Sequence, residues 1–342
     1  MQELTPIDLP PLPTLCPWIE RFAEARVVVW GDVVADRFLY GSSTRISREA
    51  PALVVRRERE EIRPGGAGNV MMNTAALGAQ VIAVGFLGSG KASSELRTAF
   101  DGAGINTTHF VERNDASTPA KTRIMAGGRH TVRQQILRID ADRGWPLSDA
   151  AHQQVRDALS ESLADADALL ISDYGMGNVC VETVSEIIQP LRDRGVVVVA
   201  DSRNALMNYR GVGVVAPNEE EVEAALNIPA GALDGELEEA GKRLIKELQC
   251  DAALITRGSR GMSLFQADGT IVHLPIHGTD QIADVTGAGD AVIATFTTAS
   301  VVGASMLEAA RIANVAAGLA VMKRGTATVP AEELRAALEA PV

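Results

Sequence analysis

Seven consecutive residues, Asp284-Val285-Thr286-Gly287-Ala288-Gly289-Asp290, combine two things that phosphoryl chemistry needs. They open an apolar stretch, 288–302, that reads as a helix with Thr286 placed to act as its N-cap. The small residues Gly287, Ala288 and Gly289 leave the first backbone N–H groups uncovered. The first turn of a helix has N–H groups without partners and the positive end of the dipole, so it attracts an anion. Asp290 then puts a carboxylate beside that anion. Two neighbouring negative groups repel, so the carboxylate needs a task. The chemistry that supplies one is removal of a proton from a hydroxyl attacking a bound phosphate. The bland alternative is a Gly-rich helix start with an acidic first turn, but seven specific residues favour the chemistry. Asp290 is thus the predicted base, and the amides of Gly287, Ala288 and Gly289 the predicted anion hole.

Three further segments have types and spacings that can serve the same site. Arg63-Pro64-Gly65-Gly66-Ala67-Gly68-Asn69 runs into a helical stretch at 70–77. Adjacent glycines let backbone approach a ligand closely, and the Asn69 amide can hydrogen-bond a hydroxyl. Asn218 and Glu221 stand three apart, on one helical face just after a strand-like run. That spacing suits holding the hydration shell of Mg²⁺, and it equally suits a capping box. Thr256-Arg257-Gly258-Ser259-Arg260-Gly261 reads as a nucleotide-lining loop or as a plain hairpin. A fourth segment, Gly85 to Lys91, fits the first seven positions of a P-loop. Its eighth position is Ala92, which has no hydroxyl for Mg²⁺, so it reads as a strand-to-helix turn.

Positioning these residues falls to short apolar runs at 27–30, 81–84, 168–171, 196–200, 212–216 and 253–255. Helical patterns lie between most of them, as at 149–164, 181–194 and 235–249. Continuous apolar strands alternating with helices predict an α/β fold: a doubly wound, largely parallel sheet with helices on both faces. Five runs end in a polar residue (Asp32, Asp173, Asp201, Asn218 and Thr256), and open α/β sheets bind ligands at their carboxyl edge. Segments 38–61 and 109–140 break the alternation with charged, β-rich sequence. They read as excursions within one domain spanning 1–342, pairing into a small β-sheet lid over the crevice, with ordinary surface hairpins as the alternative.

Composition excludes several classes. A net charge of −12 removes the global footprint of a nucleic-acid binder. Cys16, Cys180 and Cys250 form no metal pattern or disulfide framework. No apolar run approaches a membrane span, and residues 1–17 lack the pattern of a secretory leader, so the expectation is a cytoplasmic protein without membrane partners.

Over nearly its whole length the chain resembles the ribokinase-like (PfkB-type) carbohydrate kinases. Gly65-Gly66-x-x-Asn69 resembles the N-terminal signature of that family, and Asp284–Asp290 its C-terminal one. Asn218-x-x-Glu221 and Thr256-Arg257-Gly258-x-x-Gly261 follow in the family's order. The resemblance implies ATP-dependent transfer to a sugar hydroxyl with Asp290 as base. It implies that Asn218 and Glu221 organise Mg²⁺ and phosphate. Asp32, Gly65, Gly66 and Asn69 would hold the sugar, while Thr256, Gly258, Gly261 and Asn314 would line the ATP pocket with Asn218. It also implies a lid used for homodimerisation. Within the family, the chain is similar to the branch that phosphorylates D-glycero-β-D-manno-heptose 7-phosphate at its anomeric hydroxyl. Gly31–Arg37 (with Asp36), Arg45–Pro51, Lys121-Thr122-Arg123, Gln134–Asp140, Ser172-Asp173-Tyr174 and Gly325–Thr328 carry that likeness. It implies substrate contacts from Asp36, Lys121, Arg123 and Asp173. Met176 departs from the branch, which commonly has Lys there, as does Ser202-Arg203, where Pro-Lys is common. A kinase for a ribose- or fructose-like sugar is therefore the alternative, and a non-catalytic sugar-phosphate or nucleotide sensor the second. Some relatives carry a nucleotidyltransferase domain. Its His-x-Gly-His motif does not occur in this sequence, so adenylylation is not expected of it.

Overall fold

The strand Arg26–Gly31 shows why the apolar runs are continuous. Val27 and Val29 point into one hydrophobic core and Val28 and Trp30 into a second one on the opposite face. A strand buried on both sides has no polar face to alternate with. It pairs in parallel with Gln80–Ser89 on one side and Ala168–Asp173 on the other. The computed structural model describes residues 9–127, 133–142, 148–228, 234–278, 284–323 and 325–340.

The main sheet has nine strands. From one edge their order is Ile271–Leu274, Met262–Gln266, Ala252–Thr256, Val214–Val215, Val197–Ser202, Ala168–Asp173, Arg26–Gly31, Gln80–Ser89 and Phe110–Ser117. The strand Met262–Gln266 is antiparallel to both of its neighbours, and every other pairing is parallel. Helices Ala67–Ala76, Ala288–Val301 and Met306–Val321 cover one face; Asp149–Ser162, Val181–Asp193 and Asp234–Leu248 cover the other. This is the doubly wound α/β architecture that the alternation predicts.

A separate four-stranded sheet has the order Leu53–Gly66, Val33–Ile46, Ala120–Gly127, Gln134–Ala141. Its boundaries differ from the expected excursions. The first hairpin is longer, starting at Val33 and returning at Gly66 directly into the helix that carries Asn69. In the second segment, Phe110–Ser117 extends the main sheet beside Gln80–Ser89. Burial decides this: Phe110 packs on Phe100 with ring centroids 5.7 Å apart, inside the main core, despite its charged neighbours. Residues 128–132 of that segment lie outside the described residues. Among the described residues, no helix is long and apolar enough to cross a membrane.

Candidate active site

Because the central strands run parallel, their carboxyl ends share one edge, and a cavity of about 870 Å³ opens there. Tyr174, Asp201, Arg203, Asn218 and Thr256 line it from strand ends or the residues just beyond them, and the mouth of helix Ala288–Val301 closes one wall. The small sheet faces the cavity with Asp36, Lys121, Arg123 and Arg138. Arg123 and Arg138 are paired across neighbouring strands, and Arg123 is ion-paired with Asp36 at 2.5 Å. Most of the residues singled out in the sequence meet here: Asp36, Gly66, Lys121, Arg123, Asn218, Glu221, Thr256, Gly258, Gly261, Gly287, Ala288, Gly289, Asp290 and Asn314.

Asp290 is buried, at 5% exposure. Its Oδ2 accepts from the Asn69 amide at 2.6 Å and its Oδ1 from the Tyr174 hydroxyl at 3.1 Å. Loss of water pushes the carboxyl up to about 6, even though both hydrogen bonds and the Arg203 charge favour the ionised form. A carboxylate poised there is ionised at neutral pH yet basic enough to accept a proton. Beside it, the N–H groups of Gly287 and Gly289 have no backbone acceptor among the described residues, whereas that of Ala288 reaches the Val285 carbonyl at 3.3 Å. Of the three amides expected to make an anion hole, two are thus open and one is engaged with backbone.

The helix cap also differs from expectation. Gly287, with a left-handed backbone at φ 81°, occupies the N-cap position, and Thr286 does not. The Thr286 N–H instead donates to Asp284 Oδ1 at 2.9 Å, while Asp284 Oδ2 accepts from the Gly325 N–H at 2.9 Å. Burial alone would raise the Asp284 carboxyl, but these N–H bonds hold it below the usual carboxylate range. Asp284 therefore fastens the turn that presents the helix mouth. A side chain at 287 is excluded by contact as well as by φ, since a Cβ there would lie 2.5 Å from the Asn69 amide nitrogen.

Asn218 and Glu221 form a reciprocal capping box: Asn218 Oδ1 accepts from the Glu221 N–H and Glu221 Oε2 from the Asn218 N–H, both at 2.8 Å. The same two residues line the cavity. Burial raises the Glu221 carboxyl, and burial plus the charges of Glu221 and Asp290 raise Asp201 well above its ordinary value. Carboxylates held together at such a cost suit a bound divalent cation, which would reverse the penalty. Among the described residues, no group of three or more His, Cys, Asp or Glu side chains forms a closed metal cage. An open site of few ligands and several waters is the form that Mg²⁺ takes.

Four expected contact residues lie behind the cavity wall rather than in it. Asp32 is fully buried, and its oxygens accept from the N–H groups of Tyr174, Met176 and Asn178 and from the Asn178 amide. Asp173 accepts from the Gly175 N–H, the Ser202 hydroxyl and the Tyr209 hydroxyl. These carboxylates fasten the turn 173–178 instead of facing a ligand. Gly65 lies under Asp36, where a Cβ would meet its Oδ2 at 2.6 Å. Asn69 is spent on Asp290. In addition, Tyr174, Asp201, Arg203 and Arg138, to which the sequence patterns assign no ligand role, line the cavity. Asp201 had the strand-end signal; Tyr174 and Arg203 sit one and two residues past strand-end carboxylates, a position that composition does not mark. Lys91, from the P-loop-like segment, is engaged with Glu60 and Glu95 outside the cavity.

Fold, helix mouth and carboxylate define a phosphotransferase of the α/β class. The profile of the pfkB family carbohydrate kinases matches residues 24–334, and the chain belongs to that family. Curated relatives include "Bifunctional protein HldE" of Halorhodospira halophila, 41% identical over 331 residues, and that of Coxiella burnetii (strain Dugway 5J108-111), 39% identical over 321. These alignments cover 96% and 94% of this chain but 65% of each relative. The chain thus spans about 65% of the length of these bifunctional proteins. Among solved structures, Arabidopsis thaliana ribokinase complexed with ribose and ATP aligns with a TM-score of 0.71 at 21% identity, covering 93% of this chain and 99% of that one. Escherichia coli phosphofructokinase-2 in complex with potassium aligns with a TM-score of 0.74 at 18% identity, covering 92% and 98%.

Proposed function

We propose that this kinase transfers the γ-phosphoryl group of ATP to the anomeric hydroxyl of D-glycero-β-D-manno-heptose 7-phosphate. The observation that carries the transfer chemistry is the buried Asp290 carboxylate, held by Asn69 and Tyr174 beside the open Gly287 and Gly289 amides in one cavity. Asp290 takes the hydroxyl proton, a step worth roughly 10²–10⁴ in rate. The helix-mouth amides stabilise charge on the moving phosphoryl group, roughly 10²–10³ per key donor in comparable anion holes. Lys121, Arg123 and Arg138 on the small sheet meet the sugar phosphate, and the sheet acts as a lid that excludes water. Asn218, Thr256, Gly258, Gly261 and Asn314 bound the nucleotide end. Mg²⁺ bound with ATP would neutralise charge on the phosphates, and Glu221 and Asp201, beside Asn218 on the cavity wall, would hold its hydration shell.

The heptose assignment is supported by the cationic underside of the small sheet and by the segments that resemble the heptose branch, Lys121-Thr122-Arg123 and Gln134–Asp140 among them. A second reading, a kinase for a different sugar or sugar phosphate, is favoured by one observation. Met176 is buried in the apolar core and offers no cation where the heptose branch commonly has Lys, whereas Arg203, where that branch has its second Lys, keeps a charge on the cavity wall. ATP consumption measured across sugars and sugar phosphates, heptose 7-phosphate included, separates the readings. Turnover on heptose 7-phosphate is expected. Turnover on a non-heptose alone replaces the substrate assignment, and none on any compound revives the sensor reading. The small sheet is also proposed as a homodimer surface, because Ile46, Leu53, Leu137 and Ile139 are exposed on it.

A further inference from the structure

We propose that Tyr174 is a positioning residue for Asp290: its hydroxyl, aimed by the strand-end turn and by Arg203, fixes one oxygen of the base so that the other lone pairs face the substrate. The proposal rests on the reading of Asp290 as base. The geometry has three anchors. The Tyr174 backbone N–H donates to the buried Asp32 at 2.8 Å, which fixes where the residue leaves the strand Ala168–Asp173. The Arg203 guanidinium lies over the Tyr174 ring, 4.9 Å from its centroid, and stacks it against the cavity wall. The hydroxyl then reaches Asp290 Oδ1 at 3.1 Å.

A carboxylate has about four acceptor directions on two oxygens. Asn69 takes one on Oδ2 and Tyr174 one on Oδ1, so each oxygen keeps one free. Two donors on opposite oxygens also stop the carboxylate rotating, which keeps the free lone pairs aligned with the attacking hydroxyl. The Tyr174 hydroxyl serves as donor because burial and the adjacent Asp290 charge raise it well above its ordinary value. It stays protonated while Asp290 is ionised. The remaining charged groups around Asp290 are Asp36 from the small sheet and Asp201 and Arg203 from the end of strand Val197–Ser202.

The test is Tyr174→Phe, which keeps the ring and its stacking on Arg203. The kcat/KM profile should have its acid limb near pH 6 in the wild type and about one unit higher in the variant, because a hydrogen bond to the ionised form has been lost. KM should change little, and kcat at pH 7 should fall and recover toward pH 9. The free protein offers a second readout. Its near-ultraviolet tyrosine absorbance should step near pH 6 as Asp290 ionises, and the step should be absent from both Tyr174→Phe and Asp290→Asn. An acid limb that does not move, at whatever rate, overturns the proposal. Wild-type turnover by Asp290→Asn would instead overturn the base assignment on which it rests, so the two failures are distinguishable.

Discussion

Asp290→Asn should trade activity for stability, and the trade should depend on pH. A carboxyl whose folded value is raised from 3.8 to about 6 binds its proton more tightly in the folded chain than in the unfolded one. Its ionisation therefore costs stability: none below about pH 4, and the full amount above the folded value. About two units at 1.36 kcal/mol each is about 3 kcal/mol at pH 8, roughly half of that at pH 5. Asparagine has the same shape and no charge. Its Oδ1 can accept from Asn69, and its amide can donate to the Tyr174 hydroxyl, which accepts as well as donates. The hydrogen bonds survive and the desolvation cost goes.

At about 2 cal/mol/K per residue, 342 residues give an unfolding entropy near 0.7 kcal/mol/K, so the variant should melt about 4 °C higher at pH 8. The gain should shrink to under 1 °C at pH 4, while kcat falls 10²- to 10⁴-fold. Differential scanning calorimetry of both proteins from pH 4 to pH 8, without ligand, measures the first, and ATP turnover the second. A stability difference that is the same at every pH would refute the argument, since only ionisation links Asp290 to pH.

Three further outcomes follow from the geometry. Gly287→Ala combines a left-handed backbone with a Cβ 2.5 Å from the Asn69 amide nitrogen, so it should cost about 1–3 kcal/mol in denaturant titrations and at least tenfold in kcat. Glu221→Gln keeps a side chain that can still accept from the Asn218 N–H, so stability should change by less than about 1 kcal/mol. The Mg²⁺ concentration for half-maximal rate should rise severalfold; an unchanged Mg²⁺ titration returns Glu221 to its capping role alone. With the small sheet as the proposed homodimer surface, the wild type should sediment as a dimer and Leu137→Glu, at a position 53% exposed on that sheet, as a monomer; a monomeric wild type would refute the proposed surface.

The fold was legible because burial on both faces leaves a simple mark. Strand Arg26–Gly31 is apolar from Val27 to Trp30, its neighbours are apolar over their central residues, and the helices between them carry ordinary amphipathic patterns. The strand Phe110–Ser117 was not legible, since an edge strand with one buried aromatic and several exposed charges resembles a surface hairpin. The turn 256–261 does join two antiparallel strands, as its hairpin reading expects, whereas the four-residue edge strand Ile271–Leu274 is too short to leave a pattern.

The site was legible in its chemistry and less so in its division of labour. A sequence can show that Asp32, Asp173 and Asp201 end strands, but it cannot show which of the three is satisfied from behind. Asp32 and Asp173 meet backbone N–H groups and hydroxyls from the turn 173–178 and from Ser202 and Tyr209, whereas Asp201 meets other carboxylates. The distinction is one of partners far away in the chain. It also makes the two kinds of carboxylate cooperate. Asp32 holds the Tyr174 N–H, Tyr174 holds Asp290, and Asn69 holds Asp290 from the other side while Gly287 leaves room for it. Asp32, which does not touch the cavity, thus acts on it through one tyrosine. Its substitution should therefore disturb kcat through the orientation of Asp290 rather than through substrate affinity.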